Sequence, residues 1–129
     1  MSRPRLVVYW VTTGLVAASM ASGGVTHVLR VPASVEAFVY LGYPLHFVTL
    51  LGIWKILGAL ALLAPGFPRL KEWAYAGITF DLTGAAFAWA AVGTSDSVGN
   101  VGHIIVPLVG LALALTSWAL RPDSRRLPG

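Results

Sequence analysis

Four apolar stretches, each about as long as the 20 residues a helix needs to cross a bilayer, account for most of this chain. They run from Leu6 to about Leu29, from about Leu45 to Ala64, from about Trp73 to Val92, and from about Val101 to Leu120. In hydrocarbon every backbone N–H and C=O must be satisfied internally, and four strands of this length cannot close a barrel, so the spans are read as helices. The rest of the composition agrees. The chain has 129 residues, 57% of them hydrophobic and only 11% charged, with a mean hydropathy of +0.76. A soluble domain of this size has no way to bury so much apolar side chain. The same numbers exclude a disordered chain and a nucleic-acid partner of the usual kind, because the positive charges sit at segment ends, where orientation signals belong. The chain has no cysteine, so disulfides, thiolate nucleophiles and dithiol relays are excluded for its own residues.

The breakers fall between the spans: Pro32 and Gly42-Tyr43-Pro44, then Pro65-Gly66-Phe67-Pro68, then Gly93 to Ser97, with Pro122 after the last span. Arg3, Arg5, Arg69, Lys71, Arg121, Arg125 and Arg126 share one side of such an arrangement, and only Arg30 lies on the other. The positive-inside rule then places both termini in the cytoplasm. Tyr9, Trp10, Trp73, Tyr75 and Trp118 are expected as anchors at the inner interface, and Tyr40, Tyr43 and Trp89 at the outer one. Arg3, Arg5 and the following apolar run share features with a cleavable signal peptide ending near Ser19-Met20-Ala21. Tyr9, Trp10, Thr12 and Thr13 interrupt such a core, and apolar residues resume at Val25, so the segment is read as a span. In the first outer loop Ser34 is a candidate N-cap for a short interfacial helix. The expected fold is therefore all-α: a four-transmembrane-helix bundle with a short interfacial helix, residues 1–122 forming one domain and 123–129 a cytoplasmic tail.

Small residues recur at helical spacing. Gly14, Ala18 and Ala21 stripe the first span, Gly52 and Gly58 flank Lys55, Gly77, Gly84 and Ala85 flank Asp81, and Gly110, Ala114 and Ser117 stripe the fourth. Such stripes let membrane helices approach closely. Pro107 is expected to kink the fourth span.

Lys55 and Asp81 are the informative polar residues. At about 1.5 Å per residue, each lies near mid-bilayer on adjacent antiparallel spans. Either charge alone costs about 2.5–3.5 kcal/mol on insertion scales, so the economical arrangement is a facing pair. A pair of this kind either marks a functional pocket or does no more than fix helix register. His27, His46 and His103 map to the outer half, together with Glu36. Three imidazoles and a carboxylate are candidates for binding a cofactor or handling protons, although none has local metal-ligand spacing and no metal is assigned.

The segments Leu41-Gly42-Tyr43-Pro44, Leu51 to Ala59, Leu62 to Pro65, Arg69 to Gly77 and Phe80 to Ala85 resemble the DoxX-like family of small bacterial membrane proteins. The resemblance fades toward Ser117 to Pro122. It implies a four-helix integral membrane protein of the bacterial inner membrane. A more distant branch is linked to a thiosulfate:quinone oxidoreductase. Many relatives carry a Ser-His pair near the outer end of the third span, where this chain has Ala88-Trp89, leaving His46 or His103 as substitutes.

Three functions stay open at this stage. The first is the membrane subunit of a quinone-linked redox system, with quinone as the cofactor and a partner subunit or homo-oligomer beside it in the lipid bilayer. The second is a stand-alone membrane enzyme, an isomerase, cyclase or epoxide-opening enzyme, using Asp81 or Glu36 as general acid or base with Lys55 tuning it. The third is a non-catalytic assembly factor or small-solute carrier. The candidate catalytic residues are thus Asp81, Lys55 and Glu36, and the candidate cofactor residues are His46, His103 and His27.

Overall fold

The computed structural model describes residues 2–91 and 98–126. It is all-helical: α1 (Arg3–Val28), α2 (Pro32–Leu41), α3 (Leu45–Leu63), α4 (Pro68–Ala91) and α5 (Val98–Ala119), followed by a single 3-10 turn at Asp123–Arg125. The turn expected at residues 93–97, the end of the third span at Val92 and the last three residues of the tail lie outside the described residues.

Among the described residues three helices are long and apolar enough to cross a membrane: α1, α3, and α5 over Val101–Ala119. The fourth expected span, α4, has 24 residues but falls below that level of hydropathy. Tyr75, Thr79, Asp81, Thr83 and two glycines dilute its apolar content, and its first turns carry Arg69, Lys71 and Glu72. It begins at Pro68, five residues before the expected start at Trp73, because a proline suits the first helical position, where its missing N–H costs nothing.

Helix α1 packs most closely on α3 and α4 on α5; α1 also meets α5, and the α3–α4 seam is looser than any of these. The core contains Val16, Ala17 and Met20 from α1, Ala59 and Leu62 from α3, Tyr75, Ile78 and Leu82 from α4, and Ala114 from α5. Many large apolar side chains face outward instead, Phe80, Phe87 and Val106 being at least 70% exposed. Rows of this kind are untenable against water and suit acyl chains.

Of the small residues expected on the inward face of α1, Ala21 packs against the core and the other two do not. Gly14 and Ala18 are exposed, and the buried row is Ala17, Met20, Gly24 and His27. At Gly24 the two backbones almost touch: a Cβ there would lie 2.7 Å from the Gly52 carbonyl oxygen and 2.8 Å from Ile56. Only glycine on both helices permits so close a crossing.

The interface aromatics also divide. Trp73 is 67% exposed, as an anchor should be, but Tyr9 and Tyr75 are buried. Tyr75 is drawn inward by its hydroxyl, which pairs with Ser117 Oγ at 2.7 Å, and Ser117 pairs in turn with Thr13 at 2.6 Å. A partner of this kind offsets the cost of burying the phenol hydroxyl.

Helix α2 begins at Pro32 with Val31 as N-cap, three residues earlier than Ser34 as N-cap implies. Proline supplies the start, which leaves the Ser34 hydroxyl for another use. The helix ends where Gly42 takes φ +88° and the Tyr43 N–H closes on the Phe38 carbonyl at 2.9 Å, a left-handed stop.

The basic residues gather at one end and satisfy helix C-termini. Arg125 is 7% exposed, donates to the carbonyls of Leu62 (2.7 Å) and Leu63 (3.3 Å), and lies 4.6 Å from the Trp10 ring centroid. Lys71 donates to Ala64 and Gly66 carbonyls. Arg121 pairs with Glu72 at 3.0 Å, and Trp118 Nε1 donates to the same carboxylate. Cations at helix C-termini meet the negative end of the dipole. Arg125→Ala is therefore expected to destabilise the protein by about 2 kcal/mol through orphaned carbonyls and lost packing on Trp10, checked by thermal unfolding in detergent.

Candidate functional site

Lys55 is the eleventh residue of the 19-residue α3, and Asp81 the fourteenth of the 24-residue α4. Both sit near the middle of their helices and face each other across the loose seam, with Lys55 Nζ 3.9 Å from Asp81 Oδ2. That separation gives attraction without a direct hydrogen bond. The ammonium instead bonds to His27 Nε2 on α1, at 3.0 Å.

The direction of this bond follows from chemistry. An ammonium only donates, so His27 Nε2 accepts and the ring proton resides on Nδ1. His27 Nδ1 in turn donates to Ser34 Oγ at 3.0 Å. Ser34 donates to Thr26 Oγ1 at 3.3 Å, and Thr26 donates to the Gly23 carbonyl at 2.7 Å. A single chain of donors thus runs from mid-helix Lys55 to the α1–α2 junction. Ser34, expected as a cap, serves to fix the histidine tautomer.

Two cavities meet at the charge pair. The one toward the histidine end has a volume of about 580 Å³. Its walls are aromatic: Phe38 from α2, Tyr43 before α3, Phe47 and Trp54 on α3, and Phe80 and Trp89 on α4, with His27 and His103 among them. The rings brace one another. His103 stacks on Trp89 with centroids 4.1 Å apart, Tyr43 stacks on Phe47 at 5.0 Å, and Phe38 meets His27 edge to face at 5.0 Å. The second cavity, about 440 Å³, lies toward the arginine end along the same seam. The two share Leu51, Trp54, Lys55, Gly77 and Asp81.

Of the six residues singled out from the sequence, the structure brings four to this place: Lys55, Asp81, His27 and His103. Glu36 and His46 are exposed and line neither cavity, because Glu36 lies on the outward side of α2 and His46 in the first turn of α3. Among the described residues no three His, Asp or Glu side chains come together as a metal-holding group. The aromatic walls were missed as such, since Tyr43 and Trp89 read as interfacial anchors. Ala88 and Trp89 line the histidine-end cavity, and the imidazole beside them comes from α5 as His103.

The sequence model of the DoxX-like family matches residues 11–117, a range that contains every one of these groups. The chain belongs to the DoxX-like family. A curated relative, Uncharacterized protein YdgD of Bacillus subtilis (strain 168), is 49% identical over 45 residues, which is 35% of this chain and 40% of the relative. The match thus spans less than half the length of that relative. No solved structure matches the chain. As a DoxX-like protein with long apolar helices, it is a membrane protein, and its polar site lies within the helical part of the chain rather than in a loop.

Proposed function

We propose that this DoxX-like protein crosses the bacterial inner membrane four times, as a bundle with α2 at the outer interface. The arginine end and both termini then face the cytoplasm, and the protein binds a quinone headgroup as the membrane subunit of a quinone-linked redox system. The observation that carries the reading is the Lys55 ammonium, held by His27 and facing an aromatic-walled cavity at mid-helix depth. A quinone is flat and presents a carbonyl at its edge. The walls stack against the ring, and Lys55 donates to the carbonyl oxygen with a charge-assisted hydrogen bond. Asp81 balances the cation, so the site does not hold an isolated charge in lipid. The donor chain through His27 and Ser34 keeps the ammonium oriented toward the seam. The chain has no cysteine, so a dithiol relay reducing the quinone would have to belong to a partner subunit.

The test is titration of purified protein in detergent with a water-soluble benzoquinone, read by quenching of tryptophan fluorescence from Trp54 and Trp89. Saturable quenching is expected, and Lys55→Met should weaken it about tenfold or more, the value of one charge-assisted hydrogen bond. Absence of saturable binding by benzoquinones and naphthoquinones alike sinks the reading.

A further inference from the structure

The arginine-end cavity differs in chemistry from its neighbour. Apart from the Lys55–Asp81 pair at its upper edge and the indoles of Trp54 and Trp73, its walls are aliphatic or glycine, from Leu57, Gly58 and Ala61 on α3 to Leu70 and Ala74 on α4. It adjoins the histidine-end cavity, with which it shares five lining residues, and it follows the α3–α4 seam for about six residues beyond Lys55, roughly 9 Å at the rise of an α-helix. Two glycines separate the compartments for experiment. Gly58 lines only the arginine-end cavity, Gly84 only the histidine-end cavity, and a Cβ at either position meets nothing within 4 Å.

We propose that the arginine-end cavity is a hydrocarbon-tail site: the ligand is a long-chain amphiphile whose head lies on the histidine side of the Lys55–Asp81 pair and whose isoprenoid or alkyl chain runs past the pair between α3 and α4. The identity of the head rests on the quinone reading above; the tail site does not. An occupant from the bulk lipid is disfavoured by the position of the cavity. Its upper end opens at a charge pair, which a plain acyl chain gains nothing by approaching, whereas a chain attached to a polar head must pass there. Van der Waals contact with the glycine and alanine walls then adds affinity for each methylene seated.

The experiment has two arms. In the first, purified wild type, Gly58→Leu and Gly84→Leu are titrated with 2,3-dimethoxy-5-methyl-1,4-benzoquinone and with the same head carrying a decyl chain. Gly58→Leu should weaken the decyl compound about tenfold and leave the tailless one within about twofold. Gly84→Leu should weaken both. Equal loss of both compounds in Gly58→Leu, or unchanged decyl affinity, overturns the tail site. In the second arm a long-chain alcohol with a terminal diazirine is photolysed with the wild type. Label concentrated at the buried Ala61 and half-buried Ala74 supports the site even where no quinone binds, a result that would remove the headgroup reading alone. Label spread over outward rows such as Phe87, Val106 and Val109 means the chain comes from bulk lipid and overturns the proposal.

Discussion

Lys55→Met is expected to destabilise the protein by about 3 kcal/mol, and adding Asp81→Leu to the same chain should recover most of that loss without recovering ligand binding. The single change strands a carboxylate at mid-helix depth, and about 2.5–3.5 kcal/mol is the scale on which one charge is disfavoured at a bilayer centre. It also leaves His27 Nε2, now an acceptor at 3.0 Å from Nζ, without a donor. The double change replaces the pair with apolar groups of similar length, which is often neutral or better for stability. Binding should behave differently, because the ammonium that meets the ligand is absent from both variants. Chemical unfolding in detergent followed by circular dichroism gives the stability half, and quinone titration gives the other. A double variant as unstable as the single one would mean that the charges do more than neutralise each other. A double variant that binds quinone normally would relegate the pair to helix register.

Gly24→Leu is expected to cost at least about 3 kcal/mol and to abolish binding, whereas Gly14→Leu on the same helix should change stability by less than about 0.5 kcal/mol. The contact that a side chain at Gly24 would make is backbone, the Gly52 carbonyl oxygen at 2.7 Å, and helices cannot yield there without separating. Separation carries His27 away from Lys55, since His27 lies one turn further along α1 and Lys55 one turn beyond Gly52. Nothing lies within 4 Å of a Cβ at Gly14. Thermal unfolding of the two variants side by side checks this. Equal losses would show that the α1–α3 crossing is not where the helices approach most closely.

How much of this was legible beforehand differs from residue to residue. Lys55 and Asp81 were found from the sequence because charge in an apolar run is costly, and the counting of helical rise set them at matching depth. The arginine end followed from the same logic, although Lys71 and Arg125 turn out to be buried against carbonyls instead of lying at the surface. The small-residue stripe of α1 was misassigned by one position, Ala18 for Ala17. Alanine and glycine occur on every face of that helix, and composition does not say which row meets a neighbour. Ser34 was read as a cap because a hydroxyl near a helix start usually is one; its partner, His27, is seven residues away and belongs to another helix. Glu36 and His46 were grouped with the site on depth alone, and depth says nothing about azimuth.

Long apolar runs, their breakers and the two charges set within apolar runs were thus determined by the sequence itself, since each is a local property of the chain read residue by residue. The tertiary structure alone decided that Lys55 is shared between His27 and Asp81, that α3 and α4 part enough to leave two adjoining cavities, and that aromatic rings from several segments wall one of them. Those features depend on the rotation of each helix about its axis, which is set by where glycine on one helix lets another come close, and no single helix carries that information.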